Sequence, residues 1–226
     1  MRGPRDTADG SLRPPRPHRH NPPHPMTNAH SGTSGDGSHF DSDGRPRPWP
    51  LISSRHAPSL ILFRPRWDRL RNPRTGEEFD RLVLETPDWV NVVAITAGRE
   101  LVLVEQYRFG FSDVTLEIPG GVLDRGEEHG PAARRELAEE TGYTGGTWTY
   151  LGAVQPNPAF HDNLCHHWLA EGVERTQVQG LDAGEDIAIR TLPVDEVASA
   201  IADGRIRHAL VLTALGRVVD LRTRTV

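Results

Sequence analysis

The sequence predicts an α/β (α+β) domain in which a mixed β-sheet is covered by helices. Three observations carry this. Short runs of apolar residues in strand-like alternation recur between about residues 60 and 192, the period of half-buried strands. Helical segments are interspersed at 131–141, 194–202 and 208–219. Strands and helices do not follow a regular βαβ order, which argues against a purely parallel sheet.

Residues 1–56 stand apart by composition. Ten of the 19 prolines and five of the 11 histidines fall in the first 50 residues, and apolar side chains are sparse there. Such a stretch buries too little to offset the entropy of ordering, so it reads as a disordered Pro/Gly/His-rich tail ahead of a domain at 57–226. His18, His20, His24 and His30 belong to that polar leader rather than to a metal tract. The domain opens with a strand region, 57–86, in which 60–70 (LILFRPRWDRL) and 79–84 (FDRLVL) are joined by the turn-rich RNPRTGEE. Strands follow at 90–96 and 100–107 around Ala97-Gly98-Arg99. The next, 114–118, runs into Pro119-Gly120-Gly121. Pro131 suits the first turn of the 131–141 helix, where its missing N–H is not needed, and Gly142 suits the left-handed position past its end. Further strands are predicted at 148–154, 164–170 and 187–192, and Gly204 separates the last two helices.

Composition narrows the chemistry. All 26 basic residues are arginine, so a phosphate-loop lysine and a Schiff-base lysine are both excluded. The formal net charge is −5 and no basic run interleaves with aromatics, which disfavours nucleic acid as a partner. No apolar run reaches the length of a membrane span. The single cysteine, Cys165, permits no internal disulfide, fits a reducing cytoplasm and reads as a small buried hydrophobe.

The most specific signal lies between Gly121 and Tyr143. Gly121, Glu127, Arg135, Glu136, Leu137, Glu139, Glu140, Gly142 and Tyr143 form the pattern G-x5-E-x7-R-E-U-x-E-E-x-G-U, where U is bulky and apolar. Glu136, Glu139 and Glu140 sit three and four apart, so they share a side of the helix. Like charges at that spacing repel, and the C-terminal half of a helix disfavours anions further. A hard divalent cation such as Mg²⁺ resolves the conflict, because it prefers carboxylate oxygens and completes its shell with water and phosphate. Arg135, four before Glu139, can fix one glutamate while the others face metal.

The pattern resembles the Nudix box of the Nudix hydrolases, with Tyr143 standing where an aliphatic residue is usual. The resemblance covers roughly residues 57–220. It implies an α/β/α sandwich and cleavage of nucleoside diphosphates linked to another group. The resemblance also implies Mg²⁺ (or Mn²⁺ in its place) on Glu136 and Glu140, with the Gly120 carbonyl, Glu127 and Glu139 as further ligands. Glu139 and Arg135 are carried over as members of the catalytic machinery.

Three flanking features resemble the ADP-ribose pyrophosphatase branch of that family. Pro158 lies fifteen positions beyond Tyr143. The run EQYRFG ends a strand with Arg108, whose planar guanidinium suits phosphate oxygens, while Glu117 in VTLEIPGG either orients substrate or a ligand, or faces solvent. The acidic loop LDAGEDIAIR offers a base to activate water: Glu185 matches best, with Asp182 and Asp186 as alternatives. Trp49, Trp67, Trp89 and Phe63 are possible adenine platforms. His161, His166 and His167 read as structural, because adjacent residues of a strand face opposite sides. The branch implies a homodimer whose N-terminal strands contribute to the active site, and ADP-ribose as substrate. Another nucleotide sugar such as GDP-mannose, and a ligand sensor without activity, are the competing readings.

Overall fold

The computed structural model describes residues 45–222; the tail expected over 1–56 lies outside the described residues as far as residue 44. In chain order the elements are β1 (Leu51–His56), β2 (Arg64–Arg71), β3 (Glu78–Glu85), β4 (Trp89–Thr96), β5 (Glu100–Arg108), β6 (Asp113–Glu117) and α1 (His129–Thr141). Then come β7 (Tyr143–Val154), β8 (Cys165–Arg175), β9 (Ile187–Pro193), a 3-10 turn at Val194–Glu196, α2 (Val197–Ala202) and α3 (Ala209–Leu215). Among the described residues, no helix is long and apolar enough to cross a membrane.

The first three strands make an antiparallel sheet, order β1-β2-β3. Strand β1 is a correction to the tail boundary, since it falls inside 1–56. Its sequence, LISSRH, has every residue exposed, so no hydrophobic alternation announces it. Pairing makes it a strand: Arg55 lies opposite Trp67 and His56 opposite Arg66, and Ser54 Oγ donates to Asp68 at 2.7 Å. Residues 60–63 form a turn rather than the start of β2, closed by the Leu60 N–H on the Phe63 carbonyl at 2.7 Å.

The larger sheet runs β6-β5-β4-β8-β7, with β9 on β5. It is mixed: β4 and β8 are parallel and the other pairs antiparallel. Strands β4 and β5 pair only at Ile95–Leu101 and then separate, which leaves one edge of β4 open. The segment after β6 fills that edge. Val92 N–H donates to the Pro119 carbonyl, Val90 N–H to the Gly121 carbonyl, and Leu123 N–H to the Asp88 carbonyl, each at 2.9 Å. Gly120 must be glycine here, since a Cβ would lie 2.1 Å from the Val90 carbonyl oxygen.

Both faces of this sheet are apolar, as the parity of β4 requires. Val93 and Ile95 join Leu101, Leu103, Leu192 and the buried residues of α2 and α3 in one cluster. Val90, Val92, Ala94 and Val102 join Ala132, Ala133 and Leu137 of α1 in the other. Helices on both faces of a mixed sheet are the expected α/β/α sandwich. The boundary differences have local causes. Strand β7 begins at Tyr143, five residues before the predicted start, because pairing with β8 from Arg175 onward carries it through Gly145 and Gly146. Strand β8 is likewise longer than 164–170. Helix α1 starts two residues early, at His129, and α3 ends at Leu215 rather than 219.

Gly142 ends α1 with φ +73°, and its N–H donates to the Ala138 carbonyl. A Cβ there would lie 2.1 Å from the Gln177 carbonyl oxygen. Left-handed strain and this clash together should make Gly142→Ala destabilising by about 2 kcal/mol or more. Urea unfolding checks this, and an unchanged midpoint would refute the close packing of the α1 terminus.

Candidate active site

The geometry of the site begins where α1 meets the Pro119–Gly121 segment. Glu136 is 8% and Glu140 3% exposed, although carboxylates are seldom buried without partners. Gly121 makes room for the first: a Cβ at that position would lie 2.5 Å from Glu136 Oε1. Gly120 serves the second, because its neighbours' carbonyls point to β4 while its own N–H donates to Glu140 Oε2 at 2.9 Å.

Burial pushes the Glu140 carboxyl up to about 8, and the charges of Glu136 and Glu185 add to the rise. The Gly120 N–H and Arg108 oppose it. Glu136 is raised to about 7, again by burial first, with Arg135 opposing and Glu139 and Glu185 adding. The helix thus holds two carboxyls whose charged forms lack adequate compensation.

Arg135 does more than fix Glu139. Its guanidinium holds Glu127 through two hydrogen bonds of 2.9 Å, Glu136 at 2.9 Å and Glu139 at 3.0 Å. It also donates to the Val122 carbonyl at 3.3 Å. It is therefore a hub for three box glutamates, whereas the i,i+4 spacing predicted a single pair.

Arg108 and Glu117 are paired. The Arg108 fork closes on the Glu117 carboxylate at 2.8 and 2.7 Å, and Thr115 Oγ1 donates to the same carboxylate at 2.5 Å. Glu117 is 2% exposed, so the solvent-facing alternative is wrong. Burial works against its charge, but Arg108 and Thr115 outweigh it and hold its pKa below the ordinary carboxylate range. The arginine expected to meet phosphate is committed to an internal partner.

The loop before β9 is tied to the end of α1. Gly180 N–H donates to the Glu139 carbonyl at 2.9 Å, and Gln179 Nε2 to the Glu140 carbonyl at 2.7 Å and the Ile187 carbonyl at 3.1 Å. These bonds satisfy last-turn carbonyls that a helix leaves without intrahelical partners. They also fix Glu185, which exchanges hydrogen bonds with Asp182: Asp182 N–H to Glu185 Oε2 at 2.9 Å and Glu185 N–H to the Asp182 carbonyl at 3.0 Å. Glu185 is the loop carboxylate whose charge reaches both Glu136 and Glu140. Asp182, Glu185 and Asp186 are all exposed. Sequence reading missed the Gln179 tether, since a lone glutamine in a loop carries no spacing signal.

Other expected residues lie elsewhere or do other work. Pro158 sits exposed in a turn in which the Phe160 and His161 N–H groups donate to the Asn157 carbonyl. That loop zips onto β3, where Leu84 N–H meets the Phe160 carbonyl at 2.7 Å. Phe63 and Trp89 pack on the ring of His161. Trp49 lies against Phe79, and Arg55 covers Trp67. His166 stacks on His129 and meets Tyr150 Oη at 2.9 Å, while His167 is wholly buried. Cys165 is buried too, with Sγ 3.1 Å from Asn91 Oδ1. A surface concavity of about 300 Å³ lined by Gly98, Arg99, Pro193, Val194 and Asp195 lies past the other end of β4, with no paired carboxylates.

Among the described residues, no three His, Cys, Asp or Glu side chains are already drawn together as a metal cage. The donor chemistry nevertheless fits a hard divalent cation. Glu127, Glu136, Glu139 and Glu140 are all oxygen donors, and when ionised they outnumber Arg135, the cation that bridges three of them, by three charges. Two of them are held beneath the surface with raised pKa values. A divalent ion is the partner that such a set lacks.

Helix α1, the glycine segment and the flanking loop thus meet around the box carboxylates. The family model of the NUDIX domain matches residues 85–215, and the chain belongs to the Nudix family. It is 34% identical over 141 residues to the methanol dehydrogenase activator of Bacillus methanolicus, covering 62% of this chain and 76% of that protein. It is 30% identical over 168 residues to the ADP-ribose pyrophosphatase of Mycobacterium tuberculosis (strain ATCC 25618 / H37Rv), covering 73% of this chain and 80% of that one. A solved ADP compounds hydrolase superposes with a TM-score of 0.68 at 22% identity, over 76% of this chain and 92% of that chain; this likeness concerns the fold.

The raised carboxyls have a consequence for stability. Both start from an ordinary value of 4.5 and rise on folding, so between there and about 7 to 8 the folded chain binds more protons than the unfolded one. Their stabilising contribution is complete below the unfolded value and is lost as pH rises through the folded values. Glu140→Gln mimics the protonated form. In chelator-treated protein its melting temperature, relative to the parent, should rise between pH 5 and pH 8.5; a gap independent of pH would show that Glu140 is not strained by burial.

Proposed function

We propose that this chain hydrolyses the diphosphate bond of a nucleoside diphosphate derivative, with ADP-ribose as the leading substrate and AMP and ribose 5-phosphate as products. The observation that carries the reading is the pair of buried carboxylates, Glu136 and Glu140, seated against Gly120 and Gly121. The names of the M. tuberculosis and Bacillus subtilis relatives, both ADP-ribose pyrophosphatases, favour this substrate. Glu136 and Glu140 would hold Mg²⁺ or Mn²⁺, with the Gly120 carbonyl, Glu127 and Glu139 as further ligands. When bound, the ion supplies charge neutralisation for the diphosphate and acidifies the attacking water.

The chain's own residues do the rest. Arg135 orients Glu127, Glu136 and Glu139 through one guanidinium. Arg108, held on Glu117 through Nε and Nη2, offers its remaining N–H groups on Nη1 and Nη2 to phosphate oxygens. Glu185, tethered through Gln179 and Gly180, accepts a proton as water oxygen bonds to phosphorus and the bridging P–O bond breaks. The bridging oxygen departs with its phosphate.

Exposed apolar side chains in the N-terminal region, Leu51, Ile52, Leu60, Ile61 and Leu62, support a homodimer formed through this region. Sedimentation of Ile61→Asp with the parent tests it: a dimeric parent and a monomeric variant are expected, and a monomeric parent refutes it.

Activity is measured by kcat/KM with Mg²⁺ and separated products on ADP-ribose, GDP-mannose, UDP-glucose and NADH. ADP-ribose should be the best substrate. Glu140→Gln should lower kcat about 10³-fold or more with the fold retained. Glu185→Gln should lower kcat and change the pH–rate profile, while unchanged values would pass the base role to Asp182 or Asp186. Binding of ADP-ribose without turnover of any compound would make the chain a sensor instead.

A further inference from the structure

The two oxygens of Glu117 are unequally served. Oε1 accepts from Arg108 Nε and from the Thr115 hydroxyl, whereas Oε2 accepts from Arg108 Nη2. His208 Nδ1 lies 4.0 Å from that second oxygen, and it is buried and makes no hydrogen bond. The separation is that of an ion pair and is too long for a hydrogen bond. Glu117 thus has two cation-forming side chains on one buried carboxylate, and the article's reading so far uses only Arg108.

His208 stands just before α3, yet its side chain reaches the site. Alternation puts Asp113, Thr115 and Glu117 on one face of β6, and Arg108 lies opposite Asp113 on β5. Leu116 and Ile118 point the other way and pack in the core shared with α2 and α3. Glu140 attracts Arg108, which marks the first face as the one turned toward the box carboxylates. The segment before α3 is held on this face, because Arg207 donates to Asp113 Oδ2 at 2.6 Å and lies 4.9 Å over the Phe111 ring. Above Glu117, which is 2% exposed, the Arg108 and His208 side chains are 43% and 36% exposed. Since Nδ1 of His208 is the buried nitrogen, the ring's exposure falls on its other edge, which carries Nε2.

We propose that His208 is a second anion-binding residue of the site: Glu117 orients it through Nδ1, and its Nε2–H meets an oxygen of the substrate diphosphate beside Arg108. With an anion on each side, the imidazolium carries a proton on both nitrogens and neither is left without a partner. Two adjacent phosphates offer enough oxygens for a guanidinium edge and an imidazolium at once. The proposal rests on the reading in which Arg108 binds phosphate.

The test combines steady-state kinetics of the full chain on ADP-ribose with Mg²⁺ and competitive inhibition by inorganic pyrophosphate, which carries no sugar or base. His208→Ala should raise KM about tenfold, the scale of one hydrogen bond to a charged group, with a smaller change in kcat. Its Ki for pyrophosphate should rise by a similar factor. His208→Arg, which keeps a cation, should recover most of both losses, a rescue that a merely structural role would not give. Should the alanine variant fold poorly, His208→Phe fills the same space without a donor and should show the same losses. An unchanged KM in His208→Ala overturns the proposal, as does an Arg variant no better than Ala. A raised KM with an unchanged pyrophosphate Ki also overturns it, because His208 would then read the sugar or base. Arg108→Gln tests the reading beneath: an unchanged Ki there defeats the phosphate role of Arg108, whereas a raised Ki with a silent His208→Ala defeats the His208 contact alone. If the parent cleaves none of the compounds, the hydrolase reading fails, and pyrophosphate binding measured by calorimetry still decides the role of His208.

Discussion

The structure turns on the approach of α1 to an edge of β4 that β5 has abandoned. Because β4 and β5 part after Ile95–Leu101, the Pro119–Leu123 segment can pair with β4 and present its other edge to the helix. Only glycine permits this at both positions. At Gly120 a side chain would strike the Val90 carbonyl, and at Gly121 it would strike the Glu136 carboxylate. The loop glycines are therefore what allows two carboxylates to be buried at all, and that burial raises their pKa values.

Burial sets the electrostatic character of everything around it. Glu140 accepts a hydrogen bond from the Gly120 N–H, while Arg135 is shared by Glu127, Glu136 and Glu139. A buried, under-compensated anion is destabilising in the absence of a cation. Here that cost falls on the residues that a divalent ion would relieve. The loop carrying Glu185 adds to the imbalance from outside and is fixed by capping bonds to the same helix. The contacts that cap α1 therefore also anchor the loop of the candidate base to the end of that helix.

Much of this was legible in the sequence where the signal is local. The helix of the box, its left-handed Gly142 and the parity of β4 follow from residue spacing and propensity. The site glutamates were readable from the i,i+3 and i,i+4 pattern. What escaped depends on partners distant in sequence. Strand β1 is exposed along its length and exists through its pairing with β2. Arg135 meets Glu127 eight residues earlier because the loop folds back, which no helical period encodes. Glu117 was left between solvent and site because its partner, Arg108, lies on a neighbouring strand nine residues away.

The Arg108–Glu117 pair shows why a motif can name a residue and still leave its state undetermined. Residue type and strand-end position make Arg108 a candidate phosphate ligand, and both remain true of the folded chain. Yet a guanidinium beside a buried carboxylate meets a strong partner before any substrate arrives. That partner takes Nε and one Nη2 N–H only, so the Nη1 side of the guanidinium is left for an anion. The buried carboxylate then orients the arginine rather than competing for it, and an anion carrying two adjacent phosphates suits such a fixed fork better than a singly charged ligand does. The sugar or base attached to the diphosphate must be read by other side chains.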